Sequence, residues 1–191
     1  MTQSLRFSIT TPPAAEPVES ADVWSWLHID PETDDGTIDR LIPASRQAAE
    51  NYTRRAFITQ TITLKLDCWP CKIVLPHPPL IDVTSIQYAD EAGATQTLPA
   101  DQYLVDATSE PGVIAPAYGV SWPSLRAQRN AVTVTYRAGY GVNKEAVPDE
   151  ISQAILMLVA HRFANREGAG GMPEHIAQML NAYRVYQTLG A

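Results

Sequence analysis

The sequence predicts an α+β protein. N-terminal helices and two C-terminal helices form a helical core, interrupted by an inserted small antiparallel β-sheet or barrel region. Two observations carry this. Apolar residues recur every three or four positions over about residues 20–57 and again from 147 onward, and between 58 and 141 the period falls to two. The 191 residues, 45% hydrophobic and 18% charged, suffice for one domain burying roughly 70% of its unfolded surface. We therefore expect a single domain over 1–191: an extended arm (1–19), a helical stretch (20–57), a β-rich insertion (58–141) and C-terminal helices (147–191).

Pro12, Pro13 and Pro17 keep the arm extended. Ser20 is the expected N-cap of a short helix carrying Val23, Trp24 and Leu27. An acidic, turn-rich loop over His28–Gly36 precedes a longer helix from about Thr37 to Arg55. Ile38, Leu41, Ile42, Ser45, Ala49 and Tyr52 give that helix its periodicity. Pro43 falls inside it and should kink it or mark its true start.

Thr61–Asp67 alternates polar and apolar residues as a half-buried strand does. Lys72–Leu75, Val83–Tyr88, Tyr103–Val105, Val113–Ala115 and Val132–Tyr136 add short strands, with a hairpin loop at Asp90-Glu91-Ala92-Gly93. Pro76, Pro78 and Pro79 impose a rigid extended link, and Ser121-Trp122-Pro123 a second rigid loop.

Pro148, Asp149 and Glu150 suit the first turn of a helix. Ile151, Ala154, Ile155, Leu158, Val159 and Phe163 form its core stripe. Leu156, Met157 and Ala160 carry apolar character around the other side, so the helix needs cover on more than one face, and a second copy of the chain could supply it. Gly168–Gly171 should stop that helix. Pro173-Glu174 opens a last one, whose stripe of Ile176, Met179, Leu180, Tyr183, Tyr186 and Leu189 runs nearly to the terminus.

Several function classes lose support. The longest apolar run, Ala154–Ala160, is too short for a membrane span, and MTQSLRFSIT has no apolar secretion core, so we expect a soluble protein made in the cytoplasm. The net charge of -7 sits in one stretch, Glu16–Glu50, where nine acidic residues face only Arg40 and Arg46. Without a basic stripe, specific nucleic-acid binding is not expected. Cys68-Trp69-Pro70-Cys71 is the one motif that suggests catalysis, as a small thiol-redox or other enzyme. It ends one strand and enters another, whereas redox thiols sit at a helix N-terminus, so buried or loop-tightening cysteines are the better reading. His28, His77, His161 and His175 lie in separate segments without metal-ligand spacing. No catalytic residue, cofactor or metal is expected.

Taken in order, several segments resemble the phage head–tail connector (adaptor) family, related to the HK97-type connector and found also in prophages and gene-transfer agents. They are Ile38-Asp39-Arg40-Leu41-Ile42, Ala48–Arg55, the strand Gln60–Asp67 and the linker and strand Leu75–Tyr88. Trp122-Pro123, Val132–Gly141 and Val147-Pro148, opening the helix that ends His161–Glu167, complete the pattern. Pro43 and the Cys68–Cys71 segment depart from it. The resemblance implies a structural protein that forms a homo-oligomeric ring of about twelve copies. Such a ring sits between the portal and a tail-side stopper or terminator protein in a virion or phage-like particle, gives DNA a passage, and is made in the bacterial host cytoplasm. In such proteins the C-terminal helix or tail docks on the portal. We place portal contacts at Met179, Leu180, Tyr183, Tyr186 and Leu189, and the oligomer interface at Leu156, Met157 and Ala160. An acidic lumen would hold Asp34, Asp35 and Asp39.

Overall fold

The computed structural model describes residues 6–31, 36–165 and 171–186. They divide into two compact units: a helical one, Pro13–Ile58 with Tyr140–Tyr186, and a strand one holding residues 6–12 and Thr59–Gly139. The fold is α+β, with four helices and two antiparallel sheets among the described residues.

The strand unit contains β1 (Arg6–Thr11), β2 (Gln60–Leu66), β3 (Ile73–Val74), β4 (Leu80–Ala89), β5 (Thr95–Thr97), β6 (Tyr103–Asp106), β7 (Val113–Pro116) and β8 (Val132–Ala138). Five form one sheet in the order β1-β2-β8-β4-β5, and three form another in the order β3-β7-β6. In β2 the alternation puts Ile62, Leu64 and Leu66 inside and Thr61, Thr63 and Lys65 outside. Val132, Val134 and Tyr136 of β8 face the same interior. The Tyr136 hydroxyl donates to the Pro76 carbonyl at 2.6 Å, and burial pushes the phenol well above its ordinary pKa, so it stays a donor.

Two strands escaped the sequence reading. The proline-bounded arm is not a bare extension: β1 pairs with β2 from Arg6↔Lys65 to Thr11↔Thr61. The short, polar β5 closes the Asp90–Gly93 hairpin onto β4. Gly93 there has φ +88, a backbone conformation that favours glycine; the Arg126 guanidinium packs beside it.

In the helical unit, α1 (Ser20–Leu27), α2 (Thr37–Thr53), α3 (Asp149–Ala164) and α4 (Glu174–Asn181) share a core of Val23, Ile38, Ile42, Ile151, Ile155, Leu158 and Ile176 with their neighbours. Several boundaries differ from expectation. The cap of α1 is Glu19 rather than Ser20, because the Asp22 carboxylate accepts the Glu19 N–H at 2.8 Å; the Ser20 hydroxyl instead donates to Asp39. Pro43 lies inside α2 and does not start it. The third helix ends at Ala164, where Asn165 Nδ2 donates to the His161 carbonyl at 2.8 Å, ahead of the glycines. The fourth ends at Asn181 and so does not approach the terminus.

Carboxylates on the strand unit make it acid-sensitive. Hydrogen bonding from Arg137 holds Asp82 below the ordinary carboxylate range. Gln96 and the Ala94 N–H do the same for Asp90, and Ser109 for Asp106. Each folded value lies below the unfolded one, so the unfolded chain binds more protons and stability falls as pH drops through the folded values. Thermal unfolding followed from pH 5 to pH 2 should show a falling midpoint. In Asp82→Asn the fall should be shallower, and an unchanged slope would rule out this assignment.

Candidate interaction surfaces

A buried guanidinium organises the helical unit. Arg46 of α2 donates through Nε to Glu16 at 2.7 Å and through Nη1 to Glu50, one turn on, at 2.6 Å. Glu50 also accepts the Phe57 N–H at 3.0 Å. Burial alone would lower the Arg46 pKa, but the bonds to Glu16 and Glu50 outweigh it and hold the charge in place. Burial raises Glu50 against the pull of Arg46 and the Phe57 N–H. In the sequence Arg46 and Glu50 stand only as members of the charged run Glu16–Glu50, and nothing there marks them as buried.

On α3 the buried side chains are Ile151, Ala154, Ile155, Leu158 and Val159, while Leu156, Met157 and Ala160 are half-buried. Leu156 and Met157 pack in part against the helical core, and with Ala160 they carry apolar character around α3 to its partly exposed side. Arg162 reaches Ser45 of α2 at 3.2 Å, fixing the rotation of α3.

The residues after α4 turn back onto the end of α2. The Val185 N–H donates to the Thr53 carbonyl at 2.9 Å, Arg55 Nε to the Tyr183 carbonyl at 2.5 Å, and the Tyr52 hydroxyl to Asn181 at 2.7 Å. The Tyr183 hydroxyl donates to Glu150 of α3 at 2.8 Å, which raises its pKa. The Arg184 guanidinium lies 4.9 Å from the Tyr52 ring and 5.4 Å from that of Tyr186, which is 70% exposed. Of the expected portal contacts, Leu180 is 1% exposed and belongs to the core, Met179 and Tyr183 are half-buried, and Leu189 lies outside the described residues.

The acidic stretch is less free than its charge implies. Glu16 and Glu50 serve Arg46, while Lys144 bridges Glu19 at 3.1 Å and Asp22 at 3.2 Å. Asp39 is exposed in the first turn of α2, and Asp34 and Asp35 lie outside the described residues. An open depression on α1 is lined by Asp22, Ser25 and His28 among others.

Cys68 and Cys71 are exposed and unbridged, so the expectation of buried cysteines fails. They follow β2 and precede β3, with no helix at the first thiol. The tightening comes from what lies between them. The indoles of Trp69 and Trp122 stack at 4.6 Å, Trp69 Nε1 donates to the Pro123 carbonyl at 2.9 Å, and Trp122 Nε1 donates to the Pro70 carbonyl at 2.8 Å. This reciprocal Trp–Pro clasp joins the Cys68–Cys71 segment to the Ser121–Pro123 loop. The matching Trp-Pro dipeptides were visible in sequence, but their pairing was not. Among the described residues no group of His, Cys, Asp and Glu could hold a metal, and no helix is long and apolar enough to cross a membrane.

A sequence model of head completion proteins matches residues 18–186. The chain belongs to the head completion protein family. Its likeness to head–tail connectors, first carried by short segments, thus extends across the helices and strands alike. No curated protein matches the chain. Among solved structures it is similar to a chain titled "Neck of native GTA particle computed with C12 symmetry", with TM-score 0.73, 25% identity and 98% of each chain covered. Chains from the neck of an empty gene transfer agent particle, computed with C6 symmetry, and from a native gene transfer agent virion each give TM-score 0.80. Both are 22% identical over 97% of this chain and 98% of theirs, a likeness of fold.

Removing the guanidinium should show how far this family member relies on it. Arg46→Ala leaves Glu50 buried without its counter-charge and should cost about 3–5 kcal/mol of stability in denaturant unfolding. A loss under about 1 kcal/mol, the level of a surface pair, would contradict the buried-network assignment.

Proposed function

We propose that this head completion protein is a structural neck component of a phage or phage-like particle, forming a ring of about twelve copies between the portal and a tail-side stopper or terminator protein, through which DNA passes. One observation carries the reading: family membership over 18–186 combined with end-to-end likeness to a gene transfer agent neck chain. Three features of the molecule suit it. Leu156, Met157 and Ala160 leave α3 with an apolar side for a neighbouring copy. The segment after α4 is anchored to α2 and α3 yet presents Tyr186 outward, which suits a portal-docking end built from Met179, Tyr183, Tyr186 and Leu189 on a base held by Leu180. The region over residues 30–39 is acidic, and an acidic lumen formed by Asp34, Asp35 and Asp39 would repel the DNA backbone and let it slide. The protein would be made in the bacterial host cytoplasm and work at the head–tail junction of the particle.

Native mass spectrometry of the chain mixed with the assembled portal of the same gene cluster tests this. About a dozen bound copies are expected, with binding lost on truncation before Met172; a chain that ignores the portal would sink the proposal. The lumen assignment has its own test. Charge reversal at Asp34, Asp35 and Asp39 should slow DNA ejection or transfer without lowering ring occupancy, whereas unchanged delivery removes the assignment.

A further inference from the structure

Resting on the ring reading, we infer that neighbouring copies join through their strand units, the β1 edge of one copy against the β6 edge of the next. Directly paired residues in an antiparallel sheet share a face. Phe7 is therefore in one row with Leu64, Val134 and Ile86, and Ile9 in one row with Ile62, Tyr136 and Val83. Leu64, Val134, Ile86, Ile62 and Tyr136 are fully buried, whereas Phe7 is 45% and Ile9 49% exposed. The apolar face of the sheet therefore runs past its cover at β1, where the His77 ring, 4.6 Å from that of Phe7, gives partial shelter.

The three-stranded sheet ends the same way. Val105 of β6 pairs with Ile114, which pairs with Ile73, and those two isoleucines are buried while Val105 is 40% exposed. Leu104, beside it, is 62% exposed. Both β1 and β6 are edge strands. An uncovered edge offers its outer N–H and C=O groups to extended backbone, and proteins that must stay apart protect such edges with charge, bulges or proline. Among the described residues, protection is confined to strand ends: Arg6, bonded to Asp67 and Asn130, the bulge between Ile9 and Thr11, and Asp106, folded back onto Thr108 and Ser109. The middles, Phe7–Ile9 and Leu104–Val105, are open.

Cyclic symmetry then selects the pairing. In a ring every copy faces the same way along the axis, so each contact joins two different patches. Pairing β1 with β1, or β6 with β6, needs a perpendicular two-fold axis and closes as an inverted dimer. The other edge of the large sheet, β5, brings only Thr95, Gln96 and Thr97, which cannot cover Phe7 and Ile9. The β6 edge can, through Val105: it continues the apolar row of Ile114 and Ile73 and so lies on the covered face of its sheet, as Phe7 and Ile9 do on theirs, while Leu104 lies on the opposite face.

Cross-linking on the portal distinguishes the possibilities. Single variants Ile9→Cys and Val105→Cys are made in a Cys68→Ser, Cys71→Ser background, mixed, assembled on the portal and treated with a short bifunctional maleimide. The mixture should give covalent dimers, each variant alone should not, and the double variant should give ladders. A ring by native mass spectrometry without cross-links overturns the β1–β6 contact and leaves the ring reading standing. Cross-linking of Ile9→Cys alone also overturns it, in favour of a symmetric pair. Absence of any ring overturns both. Phe7→Glu with Ile9→Glu, checked for an unchanged melting curve, should lower occupancy at limiting protein by about tenfold or more; unchanged occupancy counts against the contact.

Discussion

A guanidinium placed among packed helices must be met by carboxylates, and the helical unit is arranged around that requirement. Arg46 draws in Glu16 from the segment ahead of α1 and Glu50 from its own helix. Through the Phe57 N–H, Glu50 also fixes the chain where it leaves α2 for the strands. The segment ahead of α1, the helix α2 and the chain's exit from it are thus registered by one ion-pair network. The arrangement specifies position more than it adds stability, since replacing both partners by apolar groups of the same shape can be neutral whereas removing one is costly.

That division of labour suits a protein whose chemistry is assembly. The helical unit holds its own core and leaves part of α3 and the Tyr186 end uncovered, and the strand unit holds another and leaves two edges uncovered. Uncovered apolar area of this kind is a hazard for a monomer and a requirement for a subunit that has to be built into something larger.

Much of the architecture was legible in the sequence because burial on one face imposes a period. The alternation in Gln60–Leu66 and Val132–Ala138 and the three-four spacing in α2 and α3 come straight from that constraint. What escaped was set by partners distant in the chain. β1 has every residue exposed, so no burial pattern distinguishes it from an arm; only the β2 edge makes it a strand. The stripe after Asn181 continues the helical spacing, yet the Val185 N–H bond to the Thr53 carbonyl and the Arg55 side-chain bond to the Tyr183 carbonyl hold the chain out of helix. Candidate surface residues were legible as apolar excess on α3 and at the C-terminal end. Leu180 looked the same as its neighbours because periodicity does not tell a core side chain from a contact one, and Asp39 was legible only as part of a charged run.

The Trp–Pro clasp has an optical consequence. Two indoles stacked nearly parallel, 9° apart, couple electronically, so Trp69 and Trp122 should give the strand unit an exciton signal in its ultraviolet dichroism. That signal belongs to the strand unit, so its loss on heating would report the strands' packing in the unmodified protein, without an added label.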